Sequence, residues 1–123
     1  MLSLLEIKKI TTETEIENIS KSFEFKPNKN DYMFIATQNE AVIDILVYQN
    51  IDKSTIIKYI SNKANDFSIT LGLVKSLLFL SDLKQTTHVV LPLEYKQIAK
   101  ALNFNENNND YIMKLDEYSS KCM

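Results

Sequence analysis

The spacing of apolar and polar residues predicts a chain that alternates strands with helices. Residues 3–10 alternate as a half-buried strand does. Thr12 with Glu15 forms a capping box, which indicates the start of a helix. Ile16 and Phe23 then fall on one apolar stripe of that helix.

Three strands are predicted next. The β-branched and aromatic residues of 31–37 favour a strand, and the polar residues 38–40 favour a turn. Residues 41–48 are apolar on both faces except at Asp44, which is typical of a central strand that forms a hairpin with 31–37. Residues 54–60 form the third strand of this group.

The second half begins with a polar loop at 62–66, in which Asp66, or Ser68 just after it, is positioned to cap a helix. That helix covers residues 68–83 and is apolar almost all round. We therefore expect it to be buried rather than to lie on the surface.

A strand, a helix and a final strand complete the pattern. Residues 87–91 read as a short buried strand, and a helix follows Pro92. Residues 105–109 are predicted to be a polar loop, and 110–115 the last strand.

This order, β-α-β-β-β-α-β-α-β, predicts an α/β (α+β) fold with one mixed sheet flanked by helices. We expect residues 1–123 to form a single domain, because no linker or repeat divides them. The strand at 54–60 and the strand at 87–91 are expected to be parallel neighbours, joined by a right-handed crossover through the intervening helix.

Gly72 is the only glycine of the chain, and it falls inside the predicted helix 68–83. A glycine there costs about 1 kcal/mol relative to alanine. Two explanations are open: a neighbouring element packs too closely for a side chain, or the backbone approaches a ligand.

Composition excludes several classes of protein. All 14 basic residues are lysines and the net charge is −2, which disfavours nucleic-acid binding. No apolar run approaches the roughly 18 residues that a membrane span needs. With His88 and Cys122 as the only histidine and cysteine, no metal site is expected. These features together predict a cytoplasmic protein.

Three short sequence segments, and the order in which they occur, resemble the GNAT superfamily of acyl-CoA-dependent N-acetyltransferases. Residues 35–46 are similar to its central hairpin, and residues 99–104 lie where the family has a helix ending in a Gly-Phe pair. Residues 110–115 match its closing strand, with an aromatic residue, a methionine and a final leucine. The resemblance covers nearly the whole chain and implies a GNAT-like fold.

The family's cofactor loop reads Gln or Arg, two residues, Gly, one residue, then Gly or Ala. Laid on residues 69–74 it keeps Gly72, but Ile69 and Val74 replace the other two signature residues. Such a loop works by aiming backbone amides at the pyrophosphate of coenzyme A. The resemblance therefore implies an acetyl-CoA site whose candidate residues are Ile60, Thr70, Leu71, Gly72, Leu73 and Val74.

The family's catalytic tyrosine, a general acid, would fall on Ala99. Tyr95, Tyr59 and Tyr111 are candidate replacements, although a place in the core or at its rim explains each of them. The resemblance also implies a base for the amine. Asp44 is the candidate because a carboxylate is unusual on that strand, and the alternative explanation is that it faces the open side of the sheet or pairs with a lysine.

The resemblance implies an N-acetyltransferase that moves an acyl group from acetyl-CoA to an amine. Its partners would be a coenzyme A thioester and an amine acceptor, and the fold is compatible with a homodimer. The alternative is a catalytically inactive GNAT-like module for ligand binding or self-association, because the family's catalytic positions are changed here.

Overall fold

Helices and strands follow the predicted order in the computed structural model, which describes residues 5–83 and 86–115. Within those residues the strands are β1 (Leu5–Ile10), β2 (Tyr32–Gln38), β3 (Ala41–Ile51), β4 (Ser54–Ile60), β5 (His88–Pro92), β6 (Asn105–Asn107) and β7 (Asp110–Lys114). The helices are α1 (Glu13–Ser20), α2 (Phe67–Leu83) and α3 (Lys96–Leu102), and a 3-10 turn (Leu93–Tyr95) precedes α3.

The strands form one mixed sheet in the order β1-β2-β3-β4-β5-β7-β6. Every neighbouring pair is antiparallel except β4 and β5, which are parallel and joined through α2. The predicted α/β class, the mixed sheet and the parallel pairing of these two strands are therefore confirmed.

The β2–β3 hairpin shows how local sequence sets the register. Its two-residue turn is Asn39-Glu40, with φ of 53° and 69°. A turn with positive φ at both positions matches the twist of the strands that it joins. The predicted hairpin is confirmed, and β3 extends to Ile51, three residues beyond the predicted end.

Alternate residues of β3 point into two separate cores. Leu46 and Tyr48 lie in the core under α2 and α3. Ile45 and Val47 lie in the core on the opposite face, with Ile16 of α1. Because both faces of β3 are covered, its nearly continuous apolar sequence is explained.

Two predictions need correction. Residues 105–109 are not all loop, since Asn105–Asn107 pairs with β7 as an edge strand. An edge strand needs only backbone hydrogen bonds, so its polar side chains carry no strand pattern. Helix α2 is not buried all round: Lys75 is exposed, and Phe79 keeps 68% of its surface. The sheet covers only one side of the helix.

Strand β4 contains a bulge just beyond the point where its pairing with β5 ends. Tyr48 pairs with Ile57 and Val47 with Tyr59, so Lys58 is an extra residue in β4. The Lys58 ammonium lies 2.9 Å and 3.1 Å from the two carboxylate oxygens of Asp31. Bulges bend the strand that contains them. Pairing with β5 covers only Ser54 to Ile56.

Within the part of the chain that the structure describes, no helix has the length and apolarity needed to cross a membrane.

Tyr48 is a buried residue whose hydroxyl group is not satisfied by a hydrogen bond within the described part of the chain. Its side chain is 1% exposed, and its hydroxyl has no hydrogen-bond partner among the described residues. Burial, and to a smaller degree Tyr32, raises the pKa of Tyr48 to about 12. An unsatisfied buried hydroxyl is destabilising.

We expect Tyr48→Phe to raise the free energy of unfolding by about 1 kcal/mol at pH 7, because it removes that hydroxyl. The pKa is higher in the folded than in the unfolded chain, where it is about 10. Because the unfolded chain loses the Tyr48 proton at a lower pH than the folded chain, the free energy of unfolding falls as the pH rises from about 10 to 12. Tyr48→Phe has no such proton, so it should not show this fall. Urea unfolding at pH 7 and pH 11 measures both effects. Tyr32→Phe, at a site 37% exposed, is the control and should change little.

Candidate functional site

A cavity of about 520 Å³ lies at the end of β4. It opens beside Ile60, where β4 no longer has β5 as a neighbour. The start of α2 forms one wall, and the 3-10 turn with the start of α3 forms the other. Its lining residues are Ile60, Ser61, Asn62, Asn65, Phe67, Thr70, Glu94, Tyr95, Lys96, Gln97 and Ile98.

Tyr95 connects one wall of the cavity to the end of β4. Its hydroxyl accepts a hydrogen bond from the Ile60 amide at 2.9 Å and donates to the Ile60 carbonyl at 3.4 Å. The hydroxyl thus takes the place of a neighbouring strand on this stretch of β4. Burial raises the pKa of Tyr95 against the opposing effect of the Ile60 hydrogen bond, and the charge of Glu94 raises it further. Tyr95 is therefore protonated at neutral pH.

Asp44 lies beneath the loop that links β4 to α2. Its side chain has no exposed surface. One carboxylate oxygen accepts from the Ser61 hydroxyl at 2.6 Å and the Lys63 amide at 2.7 Å, and the other accepts from the Ala64 amide at 3.2 Å. These contacts make Asp44 a buried structural carboxylate whose partners are a hydroxyl and two backbone amides, rather than a residue on an open face of the sheet or one paired with a lysine side chain.

Asp66 caps the start of α2. Its carboxylate accepts from the Ser68 amide at 3.0 Å and the Ser68 hydroxyl at 2.7 Å. The hydrogen bonds from Ser68, that of the side chain first, lower the pKa of Asp66. The Ile69 and Thr70 amides bond to the Asp66 carbonyl at 3.1 Å and 3.3 Å. These first-turn amides are thus already bonded within the chain, beside a negative charge.

The candidate cofactor residues separate into two groups. Ile60 and Thr70 line the cavity. Leu73 and Val74 have no exposed surface and lie in the core under α2, with Leu71 packed against that core. The helix begins at Phe67, so residues 71–74 lie inside it and bond their amides along the helix. These four residues therefore do not present unpaired amides, and their assignment to a cofactor site stays a prediction.

Gly72 is explained by packing. A Cβ atom built on Gly72 would lie 3.1 Å from Cδ1 of Ile7 in β1. That distance is tighter than ordinary van der Waals contact. Of the two explanations for this glycine, the close approach of a neighbouring element is the one with a contact in the structure.

The other candidate catalytic residues lie away from the cavity. Tyr111 of β7 is buried in the core under α2 and α3, and Asp44 faces the loop from below. Tyr59 lies on the opposite face of the sheet, where its ring stacks on Phe25 at 5.2 Å. Ala99 is buried in α3. Tyr95 is therefore the one tyrosine among these candidates that lines the cavity.

Sequence reasoning missed Glu94 and Lys96, two exposed charged residues of the cavity wall. Both follow Pro92, where the sequence predicts only the start of a helix. It also missed Asn62 and Asn65, which belong to the predicted polar loop 62–66. The signal available for that loop was its place between a strand end and a helix start, which is where backbone groups are free to meet a ligand.

The only histidine and the only cysteine of the chain remain to be placed. His88 begins β5, and its Nδ1 lies 2.8 Å from the Thr87 hydroxyl. Cys122 lies outside the described residues. In residues 5–83 and 86–115, no three histidine, cysteine or carboxylate side chains converge in a group that could hold a metal ion.

Solved structures with a similar fold are N-acetyltransferases. The ribosomal-protein-S18-alanine N-acetyltransferase of Escherichia coli has a TM-score of 0.67 at 12% identity, with 89% of each chain covered. An N-acetyltransferase of Staphylococcus aureus Mu50 has a TM-score of 0.68 at 16% identity, over 91% of this chain and 98% of that one. Campylobacter jejuni PseH, solved with acetyl coenzyme A, has a TM-score of 0.55 at 16% identity, over 90% and 99%.

These similarities show that the protein has the GNAT fold, as the sequence resemblance predicts. No protein-family model matches the chain. No curated protein matches it either.

The packing explanation for Gly72 predicts a coupling with Ile7. Gly72→Ala should change stability little, because the helix propensity it gains, about 1 kcal/mol, is offset by the contact with Cδ1. In an Ile7→Val background, which lacks Cδ1, the same substitution should stabilise the protein by about 1 kcal/mol. A double-mutant cycle of urea unfolding measures the difference. Equal effects in both backgrounds would contradict the explanation.

Proposed function

We propose that the protein is a GNAT-like N-acyltransferase that binds a coenzyme A thioester in the cavity beside Ile60 and acylates an amine. The observation that carries the proposal is the open edge of β4. Past Ile56 this strand has no β5 neighbour, and a cavity of about 520 Å³ lies at its end. Related folds include proteins solved with coenzyme A or acetyl coenzyme A.

The cavity suits a long ligand with both apolar and polar parts. Its volume falls within the range of small-molecule sites. Ile60, Phe67 and Ile98 supply apolar surface, and Asn62 and Asn65 supply side-chain amides.

The phosphate groups of such a ligand would be recognised differently from those in a glycine-rich loop. The Lys63 and Ala64 amides bond to Asp44, and the Ser68 amide bonds to Asp66. Free backbone amides are therefore scarce at the start of α2. Lys96 provides a positive charge on the opposite wall, so we assign it to the anionic part of the ligand.

Tyr95 and Glu94 are the residues of the cavity that can move a proton. A bound acyl-CoA supplies a thioester carbonyl for attack by an amine, with the coenzyme A thiolate as leaving group. The Tyr95 hydroxyl, protonated at neutral pH, is the proton donor for that sulfur. Glu94 directly precedes Tyr95 on the same wall, and its carboxylate would accept the proton that the amine releases.

Binding is tested by thermal shift of the purified protein with coenzyme A and acetyl-CoA. A ligand at 100 times its dissociation constant adds about 2.7 kcal/mol of stability, an easily measured shift. Lys96→Ala should weaken binding several-fold, more at low than at high salt. Lys100→Ala is the matched control, since Lys100 is an exposed lysine one turn further along α3 and outside the cavity lining.

No shift at millimolar acetyl-CoA in the wild-type protein would refute the proposal. Equal losses from Lys96→Ala and Lys100→Ala would remove Lys96 from the binding site. Binding without turnover of any amine would instead support a non-catalytic ligand-binding module.

Catalysis is tested with Tyr95→Phe and Glu94→Gln. Each removes a proton-transfer group while keeping the shape of the side chain, so kcat should fall by about 100-fold or more. Acyl transfer to a panel of amines is followed by release of free thiol. Tyr111→Phe, which changes a buried tyrosine of the core, is the control and should leave kcat within about twofold. Unchanged turnover in Tyr95→Phe would exclude the proposed donor.

A further inference from the structure

We infer that Asp44 is a positioning residue that holds one wall of the cavity in the shape that binds the ligand. Asp44 does not line the cavity itself, so it would act through the loop 61–65. The inference rests on the proposed function for its consequences on binding. Its structural basis is a set of contacts from a fully buried carboxylate to three groups of the loop that begins at Ser61, namely the Ser61 hydroxyl and the Lys63 and Ala64 amides.

The first contact fixes the point where β4 ends. The Ser61 amide bonds to the Ile45 carbonyl at 3.0 Å, so the chain is still paired with β3 there. The Ser61 hydroxyl then accepts from the Ile45 amide at 2.9 Å and donates to Asp44 at 2.6 Å. A side-chain hydroxyl thus replaces the backbone carbonyl in the ladder. This exchange frees the backbone after Ser61 to leave the sheet without an unsatisfied Ile45 amide.

The next contacts fix the orientation of a turn. Residues 62–65 form a tight turn closed by the Asn65 amide on the Asn62 carbonyl at 3.2 Å. The two central amides, of Lys63 and Ala64, both point down to Asp44. Asn65 has φ of 52°, which turns the chain towards α2. Asp44 holds the middle of the turn, and the residues at its two ends, Asn62 and Asn65, line the cavity.

The outer side of the same turn is held more loosely. The Lys63 ammonium donates to the Ser22 carbonyl at 3.3 Å and lies 5.0 Å from the centre of the Phe23 ring. Lys63 is exposed, so this contact is weakened by solvent. Asp44 is fully buried, so solvent does not weaken its contacts with the loop in this way.

The choice of a carboxylate at position 44 follows from these donors. All of its partners, Ser61 Oγ and two backbone amides, are donors, and a carboxylate has acceptors only. In Asp44→Asn the side-chain NH₂ must replace one oxygen and would face an N–H group. The loop would then lose at least one contact and tilt, which moves Asn62 and Asn65 relative to Tyr95.

Asp31 offers a matched control. It is also a buried carboxylate, and it accepts from the Asn28 amide at 2.6 Å, the Gln49 side chain at 2.8 Å and the Lys58 ammonium. None of these three partners lines the cavity. Asp31→Asn should therefore destabilise the fold as Asp44→Asn does, without changing the loop.

The experiment measures the affinity for coenzyme A by calorimetry at a temperature where circular dichroism shows each variant folded. Asp44→Asn should raise the dissociation constant about tenfold or more, and Asp31→Asn should leave it within about twofold. In turnover, Asp44→Asn should raise KM with a smaller change in kcat. If Asp44→Asn does not fold, Ser61→Ala, which removes one of the three contacts, should raise the dissociation constant in the same direction.

Hydrogen exchange gives a readout that needs no ligand. The amides of Lys63 and Ala64 should exchange faster in Asp44→Asn than in wild type or Asp31→Asn. Unchanged exchange there, or equal losses of affinity in the two variants, would overturn the inference. A wild-type protein that binds no coenzyme A would refute the proposed function, whereas the exchange data would still decide whether Asp44 orders the loop.

Discussion

The separation of β4 from β5 is the constraint on which the rest of this structure depends. Parallel strands that stayed paired along their whole length would leave no open backbone and no cavity between them. Here the extra residue Lys58 bends β4, and pairing ends at Ile56. The open edge that follows is closed at Ile60 by a single side chain, Tyr95. The cavity exists because that closure is a side chain rather than a strand.

Two buried carboxylates are bonded to groups of β4 or of the loop that continues from it. Asp31 holds Lys58 at the bulge, and Asp44 holds the loop that continues from β4. A buried charge is costly unless it is fully hydrogen-bonded, and both of these are bonded by several donors. These two carboxylates therefore bond near the end of β4, and the apolar residues fill the two cores on either face of the sheet.

Much of the fold could be predicted from the sequence, whereas little of the site could. The capping box at Thr12, the polar turn after β2 and the two-sided apolar pattern of β3 act over a few residues, so they are legible in the chain. Strand β6 escaped prediction because its residues are polar and exposed, and backbone hydrogen bonds alone define it as a strand. Tyr95 was a candidate among several, and its distinction is a contact with Ile60, 35 residues away, which no local pattern reports.

The sequence by itself determined the order of helices and strands, the α/β class and the resemblance to the GNAT fold, because each depends on apolar periodicity and local capping. Tertiary structure decided where the residues of that resemblance lie. Gly72 lies against Ile7, Leu73 and Val74 are buried in the core, and Asp44 bonds to the loop between β4 and α2. These outcomes depend on which side chains meet across the sheet, and that is settled only when separate elements pack together.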